Sequence, residues 1–387
     1  MKEFKMIAKT FKGLEEVLAQ ELVELGANNV QIQRRAVSFT GNQETMYRAN
    51  FHLRTASRIL KPIFSFKAVD ADEIYEKVKQ YDWEKHMSLA TTFSIDSTVF
   101  SDEFRHSKFV AYRVKDAIAD FFREKYNKRP SVSVDNPKLM INVHIAQNFC
   151  TISLDSSGDS LHKRGYREKQ TEAPINEALA AGMILMTGWR GETDFIDPMC
   201  GSGTFLIEAG LIALNIPPGI YRNDFAFEKW NDFDEELFEY VSNDDSDERE
   251  FKHKIYGSDI SLRAVRTAEK NVRSAGLSRY ISISHRPVSE LEAPSEKCML
   301  VTNPPYGERI NPANINEVYS SLGSVLKHKF AGSTAWVISS NEEFHHKIGL
   351  KPGKKVELLN GALDCLYCRY DIFEGKRNEY LKKKLNR

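Results

Sequence analysis

From about residue 165 onward, strand-like and helix-like patterns alternate along the chain, and this alternation constrains the fold more than any other feature. A helical repeat at 175–189 precedes a short apolar strand at 194–197. Helix 204–215, strand 254–260, helix 262–276, strands 280–285 and 298–305, helix 316–330 and strand 334–340 follow. Parallel strands need long crossovers, usually helical, so the pattern predicts a Rossmann-like, doubly wound α/β sheet of mostly parallel strands. The last two strand patterns, 354–361 and 362–373, are joined closely and read as an antiparallel hairpin at the sheet edge.

The preceding region reads differently. It opens with a strand at 6–11, a helix at 13–26 closed by Gly26, a strand at 30–41 and a helical stretch at 42–53, which suggests a small α+β unit. A second group holds strands at 58–69 and 91–100, a helix at 108–126, and two alternating stretches that meet at Gln147-Asn148. Asp155-Ser156-Ser157-Gly158-Asp159 reads as a turn or linker. Three segments are therefore expected: 1–55, 56–160 and 161–387, the last carrying an acidic insertion at about 217–253.

The chain has 387 residues and no formal net charge, but the charge is uneven. Residues 1–170 hold 27 Lys and Arg against 22 Asp and Glu, whereas Asp224 to Glu250 hold 12 acidic and 2 basic residues. A basic front half fits a phosphate-binding face, and ordinary solvated charge fits it too. No apolar run approaches the roughly 20 residues that span a bilayer, and the first residues are charged throughout, so a cytoplasmic protein without membrane attachment is expected. Five scattered cysteines argue against a disulfide framework. Cys365 and Cys368 lack a second pair and sit among strand formers, so they read as core residues, and no metal site is expected.

Two loops carry the chemistry. Strand 194–197 ends in Asp197, and Gly201-Ser202-Gly203 then leads into a helix. Ligands of open α/β sheets bind beyond the carboxyl ends of the strands, and glycines let the backbone approach them closely. Leu206 stands where a dinucleotide fingerprint needs glycine, and no Gly-Lys-Ser/Thr follows, so this is not a pyrophosphate or P-loop site. An acidic strand end suits a cationic ligand such as S-adenosylmethionine (SAM), with Asp197 toward the methionine end. The next strand ends in Asp259, which either accepts from the two ribose hydroxyls or caps the following helix.

The second loop is Asn303-Pro304-Pro305-Tyr306, after an apolar strand. The prolines stop the strand and supply no N–H. The Asn303 side-chain carbonyl and the Pro304 backbone carbonyl are two acceptors for one amino group, and Tyr306 offers a face on which an unpaired base stacks. A direct in-line transfer needs alignment more than a strong base.

At these residues the chain resembles the bacterial THUMP-domain RNA methyltransferases, and most of all the group that forms N2-methylguanine in large-subunit ribosomal RNA. The matching stretches are 161–167, Asp197-Pro198-Met199-Cys200-Gly201-Ser202-Gly203-Thr204, Gly257-Ser258-Asp259-Ile260 and 302–309. The resemblance implies a seven-stranded class I sheet preceded by a ferredoxin-like segment and a THUMP RNA-binding domain. It also implies a SAM site at Asp197, Pro198, Met199, Cys200, Gly201, Gly203, Thr204, Asp259, Ile260 and Asn303. Asn303, Pro304, Pro305 and Tyr306 would hold the target base, and Lys163, Arg164 and Arg167 would meet RNA phosphates. Similar enzymes place an acid on the SAM adenine where this chain has Pro287, so the backbone of Val288 or Ser289 is expected to take that contact.

Rival readings are an adenine-N6 methyltransferase of RNA or DNA, a tRNA guanine-N2 methyltransferase, and an RNA-binding protein with an inactive methyltransferase fold. A C5-pyrimidine enzyme needs a cysteine nucleophile. Cys298 lies inside the strand before the second loop, and no cysteine follows Pro304 or Pro305.

Overall fold

The computed structural model describes residues 2–104, 106–168, 174–305 and 312–373. The chain forms two compact units. The first comprises Met1–Thr10, Ala19–Leu161 and Arg222–Asp244, and the second Phe11–Leu18, His162–Tyr221 and Asp245–Arg387. Among the described residues no helix is long and apolar enough to cross a membrane.

The first unit is built on one seven-stranded sheet. Its strands are β1 (Phe4–Lys9), β2 (Asn28–Gln33), β3 (Ala36–Gly41), β4 (Arg58–Lys67), β5 (Phe93–Phe100), β6 (Leu139–Ala146) and β7 (Phe149–Asp155), in the order β2-β3-β1-β4-β7-β6-β5. All neighbours are antiparallel except β5 and β6. The pattern at 30–41 is two strands rather than one, because Arg35 takes a positive φ of 54° and turns the chain between β2 and β3. β4 pairs with β1 at its start and with β7 along most of its length. Hydrogen bonds thus run without interruption across the expected boundary near residue 55.

Asp155-Ser156-Ser157 is not a solvated linker. Ser156 and Ser157 are fully buried. Asn50 donates to Ser156 Oγ at 2.9 Å and accepts from Ser157 Oγ at 2.6 Å, and Arg58 pairs with Asp155. The large majority of buried polar groups in folded proteins are satisfied in this way.

The acidic insertion differs from expectation in the same way. Its middle, Arg222–Asp244, belongs to the first unit. Aromatic residues between the acids pack on the helix Gln43–His52. Phe227 stacks on Tyr47 at 4.5 Å, and Phe238 meets Phe227 edge-on at 5.0 Å. The Tyr47 hydroxyl accepts from Asp234 N at 3.0 Å, and Arg48 pairs with Asp244 at 3.3 Å. Apolar burial holds the segment, and its carboxylates stay at the surface.

The second unit carries the alternating pattern. Its strands are β8 (Asp194–Asp197), β9 (Ile255–Asp259), β10 (Ile281–His285), β11 (Cys298–Thr302), β12 (Thr334–Ser339), β13 (Lys354–Asn360) and β14 (Leu363–Asp371). The order is β10-β9-β8-β11-β12-β14-β13, parallel from β10 to β12, with the antiparallel hairpin β13–β14 completing one edge. Side chains leave the two faces alternately. Phe195, Val301, Trp336 and Ile338 enter one buried cluster, and Ile196, Leu300, Ala335 and Val337 enter another. A sheet covered on both faces reads as near-continuous apolar runs, as these strands do. Chain order reverses between β8 and β11, so their carboxyl ends flank the switch point where such sheets bind ligands.

Candidate active site

The glycine loop leaves β8 at Asp197 and enters the helix Thr204–Leu214. Gly201 and Gly203 have φ of 53° and 82°, a left-handed conformation that glycine adopts without steric cost. A Cβ on Gly203 would stand 3.2 Å from the Ala268 side chain, so glycine also permits close packing on the helix Leu262–Ser274.

Several hydrogen bonds tie the backbone of this loop. Cys200 N donates to Ser258 O at 2.9 Å, Gly201 N to Asp259 Oδ2 at 3.0 Å, and Gly203 N to Cys200 O at 2.8 Å. Ser202 O accepts from Asn271 Nδ2 at 2.9 Å. Asp259 also accepts from Ser261 N at 2.8 Å, while Ser261 itself caps the helix through Ala264 N. Asp259 therefore ties the end of β9 to the glycine loop and retains acceptor lone pairs. Beside it Ile260 is 73% exposed, an apolar surface next to a hydroxyl acceptor.

Asp197 is the buried acid of the site, 1% exposed. Its Oδ1 accepts from Thr302 Oγ1 at 2.8 Å and from Met199 N at 3.2 Å. Burial pushes its carboxyl up to about 7. Its two hydrogen bonds oppose that rise, and the nearby Asp259 carboxylate adds to it. A buried carboxylate under this strain is relieved by a cation. The Thr302 contact joins the end of β8 to the end of β11, so the two sequence motifs lie at one place.

Asn303 follows Thr302. Its Oδ1 is buried and has no hydrogen-bond partner among the described residues. The sequence explains this. An Asn side chain ordinarily accepts from the N–H two residues on, which here is Pro305, and neither Pro304 nor Pro305 has an N–H. Pro304 is buried and Pro305 partly so. Tyr306 lies outside the described residues.

Beyond β10, Arg286 N donates to Asp259 O at 3.2 Å. Pro287 then precedes the short 3-10 turn Val288–Glu290. The first N–H groups of such a turn have no partner within it, which leaves the Val288 and Ser289 backbone suited to an adenine edge. Val288 is buried and Ser289 exposed.

The expected phosphate contacts divide. Lys163 is exposed. Arg164 is 2% exposed and pairs with the fully buried Glu208 at 3.4 Å, and Tyr166 donates to the same carboxylate oxygen at 2.9 Å. Arg167 pairs with Glu177 at 2.9 Å, the two side chains being 9% and 8% exposed. Both arginines are committed to buried carboxylates, which corrects their reading as phosphate ligands. Sequence reasoning also passed over Asn271 and Thr302. A signal existed for Asn271, a polar residue on the apolar stripe of its helix.

The sheet order and the two loops at its switch point define a class I methyltransferase fold. A family model described as the RMKL-like methyltransferase domain matches residues 164–369, the THUMP domain matches 68–155, and the RlmL ferredoxin-like domain matches 5–60. The Synechocystis protein named "Putative RNA methyltransferase slr0064" is 38% identical over 369 residues, covering 95% of this chain and 96% of its own. The ribosomal RNA large subunit methyltransferase K/L of Syntrophotalea carbinolica is 40% identical over 386 residues. That match covers 96% of this chain and 54% of the relative, so the chain spans about half the length of the K/L relatives. Among solved structures, SMU.472 complexed with SAH superposes with a TM-score of 0.87 at 31% identity, covering 97% of this chain and 100% of the other. A Listeria monocytogenes protein named a predicted N6-adenine-specific DNA methylase gives 0.86 at 31%, covering 96% and 97%. This chain belongs to the RMKL-like methyltransferase family, with THUMP and ferredoxin-like regions ahead of the catalytic fold.

Proposed function

We propose that the protein transfers a methyl group from SAM to the exocyclic amine of a base in RNA, with N2 of guanine in large-subunit ribosomal RNA as the target. The observation that carries the reading is the buried Asn303 Oδ1, without a partner among the described residues, next to Thr302, which bonds the acid at the end of β8. A buried acceptor without a donor costs about 1–3 kcal/mol, and an amino group recovers it.

SAM supplies a sulfonium that already activates its methyl group. The chain's residues bind and align. Asp197 faces the cationic methionine end, and the Pro198–Thr204 backbone, including Met199 and Cys200, forms the floor under it. Asp259 takes the ribose hydroxyls, Ile260 packs on the adenine, and the Val288 or Ser289 backbone reads its edge. Asn303 Oδ1 and the Pro304 carbonyl each accept one amine hydrogen, which turns the nitrogen lone pair toward the methyl. Pro305 stiffens the turn, and Tyr306 stacks on the base. The proton leaves the methylated, cationic nitrogen for solvent after attack, so no strong base is needed. Alignment of this kind lowers the barrier by several kcal/mol.

The matched THUMP domain favours RNA over DNA, since such modules read shape and backbone. The identity of the K/L relatives favours ribosomal RNA and a cytoplasmic reaction. The front region at 1–160 and Lys163 bring the RNA. Mass spectrometry of digested ribosomal RNA from cells with and without the protein tests the assignment. Loss of one N2-methylguanosine supports it, and loss of N6-methyladenosine instead, or of nothing, overturns it.

A further inference from the structure

Arg167 and Glu168 are consecutive, and they connect to the glycine loop, the first directly and the second through Asn271. Arg167 Nη2 donates to Thr204 Oγ1 at 3.0 Å and to Ile175 O at 3.1 Å, while its Nε side holds Glu177. Glu168 N donates to Asn271 Oδ1 at 3.1 Å, and Asn271 Nδ2 in turn donates to Ser202 O. The two chains of contacts end on Ser202 and Thr204, the residues on either side of Gly203. A loop of two glycines is the most freely moving kind of backbone, and ties on both flanks of the second glycine confine it.

We propose that Arg167 and Asn271 are positioning residues that hold the 202–204 loop in its SAM-binding shape, and that Arg167 makes no phosphate contact. The inference rests on the SAM-dependent reading above. Its chemistry is specific to arginine. One planar guanidinium spans a carboxylate, a carbonyl and a hydroxyl, which a lysine ammonium on its single point cannot. Because arginine only donates, Thr204 Oγ1 accepts from it, and Ser202 Oγ lies 3.5 Å from the same oxygen, with either hydroxyl able to donate. The two side chains are nearly shut off from solvent, which raises the Glu177 carboxyl despite the partner Arg167 and leaves the pair little to offer an RNA backbone.

The test separates cofactor from RNA. Arg167→Lys, Asn271→Ala and the double variant are compared with the wild type for SAM KM, kcat, melting temperature and affinity for ribosomal RNA from cells lacking the protein. Each single change should raise the SAM KM about tenfold, with kcat within about threefold, since displacing a binding loop by an ångström has effects of this order or larger. The double variant should lose less than the product of the singles, because both act on one loop. RNA affinity should not move. A fall in RNA affinity with an unchanged SAM KM overturns the proposal. So does a lower melting temperature with an unchanged KM. Arg167→Lys keeps a charge beside Glu177, and Asn271→Ala leaves the ion pair intact, so the test survives if Arg167→Ala does not fold. Failure of the wild type itself to bind SAM sinks the functional reading, a different outcome from variants that bind as well as wild type.

Discussion

The two loops at the carboxyl edge of the second sheet are built in opposite ways. In the glycine loop the N–H groups of Cys200, Gly201 and Gly203 all have acceptors, and Ser202 O has a donor. At the Asn-Pro-Pro turn the two prolines offer no N–H, and Asn303 Oδ1 is buried with no partner among the described residues. The first arrangement fixes a shape in advance. The second keeps an acceptor open at a cost in stability, as functional sites do. Asp197 serves both ends, through Thr302 on one side and Met199 on the other.

If that contrast is right, Asp197→Ala should damage both ends. SAM affinity should fall about 10- to 100-fold, the equivalent of the roughly 1.5–3 kcal/mol of a hydrogen bond to a charged group. Transfer at saturating SAM should fall as well, because Asn303 loses the Thr302 anchor. Calorimetry and single-turnover assays check the two separately, and an effect on binding alone would break the link between the loops.

A smaller effect comes from pH. Asp197 titrates near 7 in the free protein because it is buried. A cationic ligand favours the ionised form and lowers that value, so binding releases a proton when the pH is below about 7. SAM affinity should therefore weaken by up to about tenfold per unit as pH falls from 7 to 5, and level off above 8. Asp197→Ala should abolish the slope. A slope that persists in the variant assigns the titration to another group.

The smallest effect is expected outside both loops. Lys163→Ala should weaken RNA binding about twofold to fivefold and reduce the salt slope by about one, with SAM affinity unchanged. A flat response would move the RNA contact away from the segment at 162–167.

The fold of the second unit was legible because alternation of apolar strands and amphipathic helices is local and periodic. β8, β9 and β11 end where the acids and the Asn-Pro-Pro turn punctuate them. The first unit was less so. A single positive φ at Arg35 divides one apparent strand into two, and no local pattern announces it. The helix Ala71–Lys79, capped by Asp70, was also passed over. Charge counting hid the role of the acidic insertion, since Phe225, Phe227 and Phe238 fix its position. The same blindness made Arg164 and Arg167 look like phosphate ligands. A charged side chain's partner is set by tertiary structure, and Glu208 and Glu177 lie 44 and 10 residues further along. Asn303 was legible as an acceptor, whereas its lack of a partner among the described residues needed the structure.

Asn303→Ala bears most directly on the central claim. With SAM and ribosomal RNA from cells lacking the protein, single-turnover transfer should fall by about 10²–10³, the usual cost of removing one preorganised polar contact to the reacting group. SAM affinity measured by calorimetry should stay within a few-fold of wild type. Transfer at near the wild-type rate, or an equal collapse of cofactor binding, would contradict the assignment of that oxygen to the substrate amine.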